Sequence, residues 1–226
     1  MKHLLVFTLA VFSIVAFAQE TQQRNVGPFS GVKVAEGIDV YLRKGDKESV
    51  RVEVTGTKVE NVITEVSGSY LKVHMASGNF RGRIQAKVYV TYVRLDKLSA
   101  SSAGNIFSED VIKSKAMEIQ CSSAGQIEVN IDCESVEVSV SSAGQVELQG
   151  RSRTLIADAS SAGQIDAYDL AADRVEAEAS SGASMKVNVQ SSFDANASSG
   201  GSIRYRGNPG KSMTNSSSGG SVKKSS

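Results

Sequence analysis

The chain has 226 residues, with 25 Lys plus Arg against 24 Asp plus Glu. So balanced a charge argues against nucleic acid or an anionic membrane as partner, because both need a surplus of cations. There is no Trp, aromatic residues make up 6%, and 20 Gly stand among many Val, Ile, Ala and Ser, a composition of short strands broken by many turns, in one domain or one elongated repeat array.

In chain order, the first element is an address. Residues 1–18 carry a short basic start (Lys2, His3), an apolar run from Leu4 to Ala18, and Ala16-Phe17-Ala18 before Gln19. This predicts a signal peptide cut after Ala18 and export to the periplasm, outer surface or medium. The apolar run is 15 residues, short of the roughly 20 that span a bilayer. No cysteine follows it to carry a lipid, and no later segment is apolar enough to cross a membrane. Removing the leader takes away Lys2 and no acid, leaving 24 basic and 24 acidic residues.

Residues 25–95 alternate apolar and polar residues in short runs: Val32-Lys33-Val34, Ile38 to Leu42, Val50 to Val54, Leu71-Lys72-Val73 and Val88-Tyr89-Val90. Glycines separate the runs, among them Gly37, Gly45, Gly56, Gly68 and Gly78. They read as longer strands in wider coils that begin a stack and close its end. The alternative is a separate small β-domain.

From Ser101 the chain repeats itself. SSAGNI (101–106), SSAGQI (122–127), SSAGQV (141–146) and SSAGQI (160–165) are followed by SSGASM (180–185), SSGGSI (198–203) and SSGGSV (217–222). The intervals between first serines are 21, 19, 19, 20, 18 and 19 residues. Apolar residues stand three and one places upstream of each first serine, and five and seven places downstream. Leu98/Ala100, Ile119/Cys121 and Val138/Val140 precede it; Ile127/Val129 and Val146/Leu148 follow. That is period-2 alternation on both sides of the phrase, so each repeat holds two half-buried strands and no helical stripe. A unit of about 19 residues cannot bury its apolar face alone, but stacked on copies of itself it can. The expected fold is an all-β, parallel β-solenoid of about 19 residues per coil over residues 25–210, roughly 30 Å long for seven coils. SSAG falls at the corner, where Gly supplies unusual backbone angles and small side chains permit close stacking. Residues 211–226 read as a last frayed coil and a polar tail, with Lys223 and Lys224 discouraging edge pairing.

The opening stretch FSGVKVAEGIDVYLRKGDKESVRVEVTG (Phe29 to Gly56) followed by serial SSAGQI-type coils resembles the auto-transporter adhesin head domain, or GIN domain, family. The resemblance covers nearly the whole chain after the leader. It implies a right-handed parallel β-helix in exported proteins, many from Bacteroidetes-type bacteria, and brings no catalytic residues with it. No segment reads as a membrane barrel, so the chain is not expected to transport itself.

Sites for chemistry are sparse. After the leader there is one histidine, His74, on a strand, and no His or Lys stands at fixed spacing from the serines to activate them. Cys121 and Cys133 could pair in an exported protein, but the repeat alignment favours two small apolar residues packed apart. With one histidine they fall short of a zinc set, and no cofactor is implied. Two outward columns stand out. Glu128, Glu147 and Asp166, six places after the first serine and followed by Lys186 and Arg204, form a candidate stripe for a metal ion or glycan, against the plainer reading of a solvated face. Glu118, Glu137, Glu176 and Asp194 line a second. Four places after the first serine, Asn105, Gln126, Gln145 and Gln164 form a candidate structural ladder of stacked amides. The expected function is a non-enzymatic adhesion or binding module at the cell envelope, presenting a rigid polar surface to a glycan or protein. The alternatives are a polysaccharide-active lyase or hydrolase on the same scaffold, and a purely structural envelope protein.

Overall fold

A computed structural model describes residues 19–78, 80 and 82–225. The leader reading of residues 1–18 lies outside the described residues. The N-terminal part holds β1 (Glu20–Arg24), β2 (Gly31–Val34), β3 (Asp39–Lys44), β4 (Ser49–Thr55), a 3-10 turn (Val59–Asn61), β5 (Val62–Ser67), β6 (Tyr70–Met75) and β7 (Gln85–Tyr92). The repeats follow as β8 (Lys97–Ala100), β9 (Asn105–Ser108), β10 (Ile112–Cys121), β11 (Gln126–Val140), β12 (Gln145–Ala159), β13 (Gln164–Ala179), β14 (Ser184–Ala197), β15 (Ser202–Arg206), β16 (Lys211–Ser216) and β17 (Ser221–Lys224). All strands join one sheet system, and from β8 onward every pairing is parallel and coil-to-coil. The chain is a β-solenoid of about seven turns.

Each regular coil is a tight corner plus one long strand that bends midway. In β11 the buried residues are Ile127, Val129, Ile131, Cys133, Val136, Val138 and Val140. The alternation slips one step at Glu134-Ser135, where two residues in succession face outward. That slip is the bend, and it folds the strand into two arms whose inner faces meet. The 20-residue interval carries its extra residue at Tyr168, where the register between β12 and β13 shifts. Leu148 and Leu155 are fully buried, whereas the arm entering each later corner narrows to Ala157/Ala159, Ala177/Ala179 and Ala195/Ala197.

The N-terminal part joins the same stack, but out of chain order. β2 lies between β6 and β8, and β3 between β7 and β9, all parallel. Residues 31–44 are therefore an inner coil, inserted between residues 70–92 and the first repeat. Beyond them β5 pairs antiparallel with β6, β4 with β7, and β1 with β4. The N-terminal coils are less regular than the repeats, and the end is closed by an antiparallel layer, which uses up edge hydrogen bonds that a parallel coil would leave open. The other end closes by composition. Ser212, Thr214 and Ser216 of β16 take the inward register positions held by Phe193, Ala195 and Ala197 in β14, so a polar coil covers the core.

Candidate functional site

The seven serine-marked corners make the same turn. The first central residue is always serine in the left-handed region, from Ser102 (φ 50) through Ser142 (φ 50) to Ser218 (φ 49). The second is Ala103, Ala124, Ala143 and Ala162 in the first four coils (φ 58 to 60) and Gly182, Gly200 and Gly219 in the last three (φ 73 to 77). The fourth residue's N–H donates to the first serine's carbonyl, as in Gly144 to Ser141 at 2.9 Å. Two left-handed central residues and this bond describe a type I′ turn. The second central N–H also donates to the next coil, Ala124 to the Ser142 carbonyl at 3.1 Å and Ala143 to that of Ser161 at 3.1 Å. Neighbouring corners are thus linked to one another by backbone hydrogen bonds.

This corrects the expected role of the SSAG glycine. Gly125, Gly144 and Gly163 are not at positive φ; serine and alanine carry that conformation. A Cβ on Gly144 would stand 2.8 Å from the Cys121 carbonyl oxygen, and on Gly163 2.8 Å from that of Val140. Glycine is there so that adjacent coils can touch. An eighth corner had no serine to mark it: Val34-Ala35-Glu36-Gly37-Ile38 turns at Glu36 (φ 64) and Gly37 (φ 68), in register with residues 101–104. The signal was Glu-Gly between two alternating runs.

A groove of about 550 Å³ runs along the stack just before the corners. Its rim is the first serine of each corner, from Ser101 to Ser198, and its wall is the outward column two residues upstream: Lys33, Ser99, Gln120, Ser139, Asp158, Glu178 and Asn196. These are consecutive register partners. The sequence reading passed over this column because no single type repeats in it; its position between the inward residues one and three places upstream was the available signal. A second, larger groove of about 820 Å³ lies beside the bend, where exposed Ile156 stands among charges of both signs: Arg94 and Lys97, paired to Asp96 and Glu118, with Lys113, Lys115 and Glu137.

The sheet arm after the corners holds the predicted acidic stripe. Glu128, Glu147 and Asp166 are neighbours in register, and the column continues into Lys186, Arg204 and Lys223. Lys186 Nζ donates to Asp166 at 2.7 Å, which raises the lysine pKa. Glu147 accepts from Gln149 at 3.3 Å. Among the described residues Glu128 has no ion-pair partner, and no three His, Cys, Asp or Glu side chains converge to hold a metal ion. Beyond Glu128 the column becomes aromatic: Phe107, Tyr41 and Tyr89 stack at 5.4 and 5.3 Å between centroids, with Arg51 4.0 Å above Tyr89. Their ring faces are spent on one another. The amides Asn105, Gln126, Gln145 and Gln164 are also in register. Asn105 donates to Asp39 at 2.7 Å, and among the described residues no amide-to-amide bond joins the three glutamines.

The remaining polar groups are engaged locally. His74 Nδ1 lies 2.9 Å from the Met75 carbonyl oxygen. Arg151 makes two bonds to Asp132, at 2.8 and 2.7 Å, which hold that carboxyl below its ordinary range. Cys121 and Cys133 are free and buried, in different arms of the coil. Burial pushes the Cys121 thiol up to about 11 and raises that of Cys133, which suits packed thiols and not nucleophiles.

A family model described as "Putative auto-transporter adhesin, head GIN domain" matches residues 28–209. Among solved structures, a "putative adhesin" from Bacteroides fragilis NCTC 9343 superposes with a TM-score of 0.82 at 20% identity, covering 92% of this chain and 97% of that one. A "putative adhesin" from Parabacteroides distasonis ATCC 8503 gives 0.73 at 17% identity, over 93% and 98%. A "putative lipid binding protein" from the same organism gives 0.70 at 20% identity, over 92% and 97%. No curated protein matches the chain. Among the described residues no helix is long and apolar enough to cross a membrane.

Proposed function

The chain belongs to the GIN domain family, described as "Putative auto-transporter adhesin, head GIN domain", and from that premise we propose that it is an exported, non-enzymatic binding module that holds an extended glycan along its corner groove. The observation that carries this reading is the register of the groove. Serine hydroxyls recur once per coil beside a column of amides, carboxylates and a lysine, at a spacing of about 4.8 Å. That spacing is close to the length of one sugar unit in a linear polysaccharide. A rigid ladder of hydrogen-bonding groups meets such a ligand with little ordering cost, because the type I′ corners fix the rim before binding. The similarity to adhesins, and the predicted leader, support a place at the cell envelope.

The test is a glycan array probed with the purified protein, run beside a lyase and hydrolase screen on the same polysaccharides. Binding without product formation is the expected result. Product release would move the protein to the enzyme class, and silence in both assays would leave a structural envelope protein. A second reading rests on the groove at the bend. Arg94 and Lys97 are ion-paired there to Asp96 and Glu118, which leaves Lys113 and Lys115 beside exposed Ile156 to meet the headgroup of an anionic amphiphile, in keeping with the lipid-binding description of one structural neighbour. Co-sedimentation with anionic vesicles, lost in Lys113→Glu/Lys115→Glu, is its signature.

A further inference from the structure

The six charges that follow the corners are segregated by sign. Three acids, Glu128, Glu147 and Asp166, occupy successive coils, and three bases, Lys186, Arg204 and Lys223, occupy the next three. The outward column two residues closer to the corner changes at the same boundary, from Gln126, Gln145 and Gln164 to Ser184, Ser202 and Ser221. The column Lys97, Glu118, Glu137, Ile156, Glu176 and Asp194 is acidic apart from Ile156 and one base at its end, so it is not its own complement. At the bend, Lys113, Asp132 and Arg151 alternate in register, and Arg151 grips Asp132 with two bonds. On the segregated face, like charges stand about 4.8 Å apart and repel. The one ion pair among the six is Asp166–Lys186, at the boundary.

A column that reads acid, acid, acid, base, base, base is its own complement when reversed. We propose that this face docks against the same face of a second copy, about a twofold axis lying along the strand direction between β13 and β14. The rotation keeps each column opposite itself and reverses the stack. Glu128 then meets Lys223 of the second copy, Glu147 meets its Arg204, and Asp166 its Lys186. The same rotation sets each long glutamine opposite a short serine, so charge and bulk are both matched. One patch serving both partners is the isologous arrangement that twofold dimers require. These two outward columns over six coils cover roughly 14 by 29 Å, or about 800 Å² from both partners, the size of a weak encounter. The dimer is therefore weak and held largely by charge. It uses a different face from the corner groove and does not depend on what that groove binds.

Sedimentation velocity on the purified protein tests this, with wild type, Glu128→Lys/Glu147→Lys, Arg204→Glu/Lys223→Glu, and an equimolar mixture of the two variants. Wild type dimerises at low salt and dissociates at about 1 M salt, with an affinity loss of roughly tenfold or more. Each variant alone is monomeric, because its outer charges meet their like in a second copy, and the mixture forms a heterodimer because all six facing pairs are then opposite in sign, Asp166 and Lys186 included. A monomeric wild type at low salt, a dimer indifferent to salt, or a mixture that stays monomeric while both variants keep wild-type circular dichroism would overturn the proposal. So would a wild type that stays monomeric and binds polylysine through Glu128 and Glu147, which would give the face to a foreign partner.

Discussion

The first four corners and the last three make the same turn with different residues, and the contrast separates two demands that SSAG had merged. One demand is conformational: the second central residue must be left-handed. Alanine meets it in the first four coils at a steric cost, and glycine meets it in the last three. The other is spatial: the fourth residue must let the preceding coil's carbonyl approach. Glycine fills that place in six corners, yet Ala183 fills it in the fifth, fully buried. A turn repeated seven times thus shows which residue serves which constraint, as a single copy could not.

The largest effect that separates the two regions lies in the core. Leu148 is fully buried where the inner arm is wide, so Leu148→Ala is expected to cost about 2–5 kcal/mol in denaturant unfolding. An equal loss from removing a methyl group at Ala177, in the alanine-narrowed arm, would erase the distinction. Next comes the close approach. Gly144→Ala forces a Cβ against the Cys121 carbonyl and is expected to cost about 1–3 kcal/mol. Ala183→Gly, at the matching place in the fifth corner, costs about 1 kcal/mol or less. The conformational demand predicts the opposite sign: Ala143→Gly raises stability by about 0.5–1 kcal/mol, read as an upward shift of the melting midpoint. A loss there would refute the left-handed assignment.

Alkaline unfolding tests the buried groups. Burial raises Cys121 to about 11 and Tyr92 to about 12, above their ordinary values of 9.0 and 10.0. Both are neutral when protonated, so the folded state holds these protons more tightly than the unfolded chain. Their contribution is complete below about pH 9 and is lost as pH rises through 11 and 12. The Tyr92 hydroxyl is buried with no hydrogen-bond partner among the described residues. Tyr92→Phe is therefore expected to leave stability unchanged or higher and to flatten the alkaline limb. The amide column gives a further test. If stacked amides contribute as a ladder, Gln145→Ala lowers stability by about 0.5–1.5 kcal/mol; a smaller change leaves them as filling for the docking face.

The coil, its period and its inward columns were legible because a stack of identical units enforces identical alternation. The insertion of residues 31–44 between 70–92 and the first repeat was not, since strand order in a stack leaves no trace in local patterning. The corner at Glu36-Gly37 hid for a related reason: a type I′ turn needs two left-handed residues, and several residue pairs supply them. Glycine was assigned the wrong duty because its freedom of φ and its lack of a Cβ look alike in a sequence. Among candidate site residues, Glu128, Glu147 and Asp166 were visible as a column. The turn of that column to Lys186 and Arg204 was visible too; what register added was Lys223 as the third base, which makes the column its own complement when reversed.

The division of the surface into a groove for a foreign polymer and a face for self-association is tested most directly by one titration. A glycan that binds wild type is titrated against Gln120→Ala/Asp158→Ala in the groove and Glu128→Ala/Glu147→Ala on the face. The groove variant is predicted to lose roughly tenfold or more in affinity, the size of one or two lost hydrogen bonds, and the face variant to bind as wild type does. Loss confined to the face variant would contradict the account.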